Sequence, residues 1–102
     1  YKLHPGEFDR YKKYSYFNKL IKEYPNVKVV EDGNLHQILA ESRFQLGVNS
    51  TALFEGIEFN CNTILVNMSG IEYMTKFIEH HSLILCNGFY MKNQVNTLSD
   101  LL

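Results

Sequence analysis

Short apolar runs alternate with helical periodicity along most of this chain, and that alternation restricts the fold more than any other feature. Residues 8–24 place Phe8, Tyr11, Tyr14, Phe17, Leu20, Ile21 and Tyr24 at helical spacing, with Lys and Arg on the other face. Pro25-Asn26 ends that segment. "VKVVE" (27–31) is a β-branched run and predicts a strand. Asp32-Gly33-Asn34 is a turn, with Asn34 positioned to cap a short helix marked by Leu35, Ile38 and Leu39. "FQLGV" (44–48) predicts a strand, 50–59 a helix, and "TILVN" (63–67) a strand. Met68-Ser69-Gly70 is a loop before a helix over 71–80. The run "LILC", ending at Cys86, is a further strand that trails into Asn87-Gly88, and a last helix is expected over 93–102. The strands are apolar on successive residues rather than on every second one, as in sheets buried on both faces. The expectation is an α/β, Rossmann-like three-layer domain with a parallel sheet of about five strands and right-handed crossovers.

A chain of 102 residues is long enough for one compact domain and too short for two. At 45% hydrophobic and 21% charged it has the composition of an ordinary globular domain. A formal net charge of −1 offers no basic footprint for nucleic acid. No apolar run approaches the roughly 20 residues of a membrane span. The opening "YKLHPGEF" lacks an initiator Met and reads like the end of a strand already under way, so the domain is expected to be part of a longer protein. Cys61 and Cys86 form neither a disulfide framework nor a metal site, and as reduced thiols they fit a cytoplasmic location.

In an open parallel sheet, ligands bind outside the carboxyl ends of the strands, where helix N-termini present unpaired N–H groups. Phosphate is the natural guest there. The loops to search are therefore His4-Pro5-Gly6, Asp32-Gly33-Asn34, Asn49-Ser50-Thr51, Met68-Ser69-Gly70 and Asn87-Gly88. Ser50 and Thr51 end a predicted strand and open a helix, so their hydroxyls and N–H groups suit one phosphate. Glu55 shares a helix face with Thr51 and points away from the sheet-facing Leu53 and Ile57. A carboxylate one turn from a phosphate has the reach to accept both hydroxyls of a ribose. The local alternative stands beside this: Ser or Thr before a helix is commonly an N-cap, and Glu at i+4 commonly belongs to a solvated face. Pro5 holds His4 extended at a strand end, where an imidazole can stabilise charge on a leaving phosphate. His36, His80 and His81 read as surface or helix-terminal residues, and the spacings do not assemble a metal site. There is no Walker loop, dinucleotide fingerprint, nucleophile elbow or Asp-x-Asp, so no cofactor or metal is expected.

"KLHPGE", the Gly-containing turn after "VKVVED" and "LGVNSTALFEGIEFNCNTILVNMSGIEYM" together resemble the C-terminal donor-binding domain of GT-B-fold glycosyltransferases. The resemblance is to bacterial capsule and surface-polysaccharide enzymes, including sialyl- and polysialyltransferase-like proteins. A similar His-Pro and hydroxyl pair occurs in CDP-glycerol glycerophosphotransferases. It covers roughly residues 1 to 75. It implies that His4 contacts the donor phosphate and assists the leaving group, and that Ser50 and Thr51 grip the phosphate. Glu55 would bind the ribose, while Pro5, Gly6, Asp32 and Gly33 would complete the donor site. The implied substrate is a CMP-, CDP- or UDP-linked sugar, and the acceptor saccharide would meet a separate N-terminal domain. This part alone would then not turn over. The resemblance also implies a cytoplasmic protein, or one held peripherally at the inner face of the plasma membrane. A nucleotide-sugar 2-epimerase shares the fold and a Glu on the equivalent helix. Such epimerases carry Gly-Gly where Ser50-Thr51 stand, and Arg and Pro near "MSGIEYM", which this chain lacks. A nucleotide-sensing or structural α/β module is the third reading.

Overall fold

The computed structural model describes residues 1–4, 7 and 10–92. The expected helix over 93–102 lies outside them, as do Pro5 and Gly6. Two compact units divide the chain, residues 1–34 and residues 35 onward.

In the first unit the predicted strand at 27–31 is reduced to one parallel bridge between Lys2 and Val30. Leu3 N–H donates to Val30 O at 2.9 Å and Val30 N–H to Tyr1 O at 2.8 Å. The predicted helix splits into a 3-10 turn, Tyr11–Lys13, and α1, Ser15–Glu23. The break falls at Tyr14, whose backbone is extended and whose side chain makes no cap hydrogen bond. α1 has the predicted amphipathic spacing, yet none of its nine residues is buried. Phe17 is half-buried, its ring 5.5 Å from that of Tyr1. Pro25 cannot continue the helix, and the last turn closes by Tyr24 N–H donating to Leu20 O at 2.9 Å.

The second unit runs α2 (Leu35–Ala40), β1 (Phe44–Gly47), α3 (Ala52–Glu58), β2 (Asn62–Val66), a 3-10 turn (Ile71–Met74), α4 (Thr75–His80), β3 (Ile84–Cys86) and β4 (Phe89–Met91). These helices and strands make it an α/β fold. Its four strands among the described residues form one mixed sheet in the order β1-β2-β4-β3. β1 and β2 are parallel, joined through α3, with Leu46 opposite Ile64. β4 pairs antiparallel with both β2 and β3.

The described sheet thus differs from the expected parallel five. The predicted strand ending at Cys86 exists, but it turns back immediately instead of crossing over. Asn87 (φ 46°) and Gly88 (φ 86°) both adopt positive φ. That is the backbone of a two-residue hairpin turn whose twist matches the flanking strands. Asn-Gly between apolar runs is a strong local hairpin signal, and it outweighed the α/β alternation here. The hairpin also sends β4 between β2 and β3, which leaves β3 at an edge of the described sheet with Ile84 and Leu85 exposed.

The core lies where α3 and α4 meet the sheet: Leu53, Leu65, Met74, Phe77 and Leu83, with Ile57, Ile71, Ile78 and Tyr90 packed around them. Leu65 of β2 has no exposed surface. Leu53 and Ile57 face inward as their spacing predicts. A polar contact runs through this packing. Buried Gln45 on β1 donates its Nε2 to Leu53 O at 2.8 Å and to Thr63 Oγ1 at 2.7 Å. Gly56 of α3 supplies the room, since a Cβ there would overlap the Gln45 amide. Both cysteines are free thiols. Cys61 is buried and its S–H is shared between Leu39 O (3.3 Å) and Ser42 O (3.4 Å). Loss of solvent pushes that thiol above its ordinary range. Among the described residues no helix is long and apolar enough to cross a membrane.

Candidate functional site

In the first unit, His4 directly follows the segment that bridges to Val30. Its backbone is held reciprocally: His4 N–H donates to Glu7 Oε2 at 2.8 Å, and Glu7 N–H donates to His4 O at 2.8 Å. This is the carboxylate half of a capping box, readable as the spacing His4-x-x-Glu7. Glu7 carries no role in the expected site, and its carboxylate holds the His4 backbone N–H. The same carboxylate accepts from Tyr1 Oη at 3.2 Å. Burial, then the charge of Glu7, raises the Tyr1 phenol above its ordinary value. His4, Asp32 and Gly33 are exposed. Lys2 Nζ donates to Glu31 O at 2.9 Å and so ties the approach to the Asp32-Gly33 turn back to the first residues.

In the second unit, Ser50 and Thr51 occupy the predicted place, between the carboxyl end of β1 and the start of α3. Their hydroxyls do different things. Ser50 Oγ accepts the Ala52 N–H at 3.2 Å, a local turn bond. Thr51 holds the N-cap position with helical dihedrals and makes no side-chain cap bond. The capping alternative therefore applies to Ser50 as a turn contact and not to Thr51. Both residues are exposed.

The loops that follow the two parallel strands are fastened to one another. Asn49 Nδ2 donates to Gly70 O at 2.9 Å. Gly70 adopts φ 103°, and a Cβ on it would lie 2.6 Å from Asn49 Nδ2. Only glycine fits both constraints. Gly70 N–H in turn donates to Glu72 Oε2 at 2.9 Å. Sequence reasoning selected both loops but not the clamp between them, because a bond between residues 21 apart leaves no local pattern.

Glu55 is exposed on α3, as expected, but it is not alone. Its Oε1 lies 3.5 Å from Nε2 of His36 on α2. The His36 ring also packs 5.4 Å from that of Phe59, the residue that follows α3 one turn after Glu55. His36 is a surface residue, as expected, and it stands beside the carboxylate that the resemblance assigns to a ribose. Among the described residues no group of three or more His, Cys, Asp or Glu side chains is arranged to hold a metal ion.

No family model matches this chain, and neither a curated protein nor a solved structure shows significant similarity to it.

Proposed function

We propose that this chain is the nucleotide-donor half of a GT-B-type glycosyltransferase of surface-polysaccharide synthesis, with a Rossmann-like fold. In this reading Ser50 and Thr51 hold the donor phosphate, Glu55 the ribose, and His4 assists departure of the nucleotide. Pro5, Gly6, Asp32 and Gly33 complete the site. The acceptor saccharide binds on another domain, and the protein works in the cytoplasm or at the inner membrane face.

The supporting observation is the loop at the carboxyl end of β1. It belongs to a parallel β1–α3–β2 unit, the setting in which α/β folds bind phosphates. It carries a Thr51 hydroxyl that the helix cap does not use. The Asn49–Gly70 clamp fastens the loop after β2 to it. A preorganised pair of loops lowers the ordering cost of binding.

Titrating the chain with CMP, CDP, UDP and GDP, read by amide chemical shifts, tests the reading. One nucleotide should move residues 49–55 and 67–70, and Thr51→Val should weaken that binding about tenfold, the scale of one lost hydrogen bond to a charged group. If no nucleotide perturbs these loops at millimolar concentration, the proposal fails. In a transferase carrying both halves, His4→Ala should lower turnover more than donor affinity. The second reading, a non-catalytic α/β module, draws on the pairing of Glu55 with His36 and of Ser50 with Ala52, which gives both groups local work.

A further inference from the structure

A cavity of about 150 Å³ opens at the end of the sheet away from the loops just described. It lies at the amino end of β2, beside Asn62 and Thr63, whereas Ser50, Thr51 and Gly70 follow the carboxyl ends of β1 and β2. The antiparallel hairpin builds it. Leu83 leads into β3 and Lys92 follows β4, whose last residue Met91 pairs with Ile64, so both arrive beside the start of β2.

The lining falls into two chemically distinct parts. Ile57, Phe77, Leu83, Cys61 and Thr63 form the more buried part. The polar atoms among them are already spent: Cys61 Sγ donates to backbone carbonyls, and Thr63 Oγ1 accepts from Gln45 and donates to Cys61 O at 3.4 Å. No buried side-chain nitrogen or oxygen among the described residues lacks a partner. This inner part therefore behaves as an apolar wall. The remaining lining is Asn60, Asn62, His81 and Lys92. His81 packs its ring 4.6 Å from Phe77 and is half-buried. Among the described residues no carboxylate lines the cavity, and none lies within ion-pair distance of Lys92. Among the described residues the lining thus carries two basic side chains and no acidic one.

We propose that this cavity binds a small organic monoanion, an apolar ring or branched short chain bearing one carboxylate. The apolar body faces Phe77, Leu83 and Ile57, and the carboxylate meets Lys92, His81 and the Asn60 amide at the open side. The volume selects the size: a cavity of roughly 150 Å³ admits one six-membered ring. A nucleotide is too large, because ligands of that size take sites of about 300 Å³ or more. The site is thus separate from the proposed donor site and does not depend on it.

The test is an amide-shift titration of the full chain with sodium benzoate, with benzyl alcohol as the neutral match and inorganic phosphate as an anion without an apolar body. Benzoate should move the signals of Phe77, Leu83, His81 and Asn60, and should bind at least about fivefold tighter than either control. Lys92→Gln, an exposed substitution, should weaken benzoate about fivefold and leave benzyl alcohol unchanged. Absence of benzoate shifts at these residues overturns the proposal. So does equal binding of benzoate and benzyl alcohol, tighter binding of phosphate, or unchanged benzoate affinity in Lys92→Gln.

Discussion

Replacing Gly56 by Ala should destabilise this protein, although the same change inside a helix ordinarily stabilises. On helix propensity alone, Gly→Ala in α3 gains about 1 kcal/mol. The added Cβ, however, would overlap the Gln45 amide and stand 2.6 Å from its Nε2. Gln45 must then rotate away and give up its bonds to Leu53 O and Thr63 Oγ1. Two buried hydrogen bonds cost about 1 kcal/mol each, and an amide stranded between β1 and α3 adds about 1–3 kcal/mol. The balance is a loss of roughly 2–4 kcal/mol, or at least about 8 °C in Tm for a domain of this size. Urea unfolding followed by circular dichroism measures it as a lower midpoint with an unchanged slope. Gln45→Ala removes the obstructing amide, so in that background Gly56→Ala should be neutral or stabilising, giving a coupling of about 2 kcal/mol or more. If Gly56→Ala is as stable as the parent with Gln45 present, the packing argument for α3 against β1 is wrong.

Three further outcomes follow from single groups. Burial holds the Cys61 thiol protonated past its ordinary value of 9.0, so unfolding releases a proton above that pH. Its contribution is fully present below about pH 9 and is lost as pH rises toward the raised folded value. Cys61→Ala should therefore flatten the alkaline decline in urea midpoint, and Cys61 should react with a thiol reagent more slowly than half-buried Cys86. Gly88→Ala should cost about 1 kcal/mol from the positive φ alone, because a Cβ there meets nothing within 4 Å; a thermal melt equal to the parent would contradict the hairpin assignment. Glu55→Gln should change stability by less than about 0.5 kcal/mol, since its pairing with His36 is solvent-exposed; a larger loss would make Glu55 a structural residue and weaken its proposed ribose role.

The Ser50–Thr51 loop was legible because it announces itself within a few residues, as two hydroxyls between a strand and a helix. The Glu7 contact is equally local, since His4-x-x-Glu7 is capping-box spacing and the Glu7 carboxylate accepts the His4 N–H. The Asn49–Gly70 clamp and the Glu55–His36 pairing were not legible. Each joins side chains from separate elements, and neither leaves a periodic trace.

From its sequence alone, this chain determined where its second-unit helices and most of its strands lie, and which faces of α3 are buried. Hydrophobic period is a local property, set by side-chain direction along a helix or a strand. It also carried the Asn87-Gly88 turn, in two residues able to take positive φ. Tertiary structure decided which strand pairs with which, and in what direction. Residues 27–31 have strand composition, but they find one bridging partner at Lys2 and no ladder. β4 enters between β2 and β3 because the hairpin brings it back antiparallel, and that same return delivers Leu83 and Lys92 to the cavity. A strand's own residues specify its extension and its two faces. Its neighbour is chosen by whichever segment can satisfy its open N–H and C=O groups while burying the same side chains, and that choice belongs to the assembled fold.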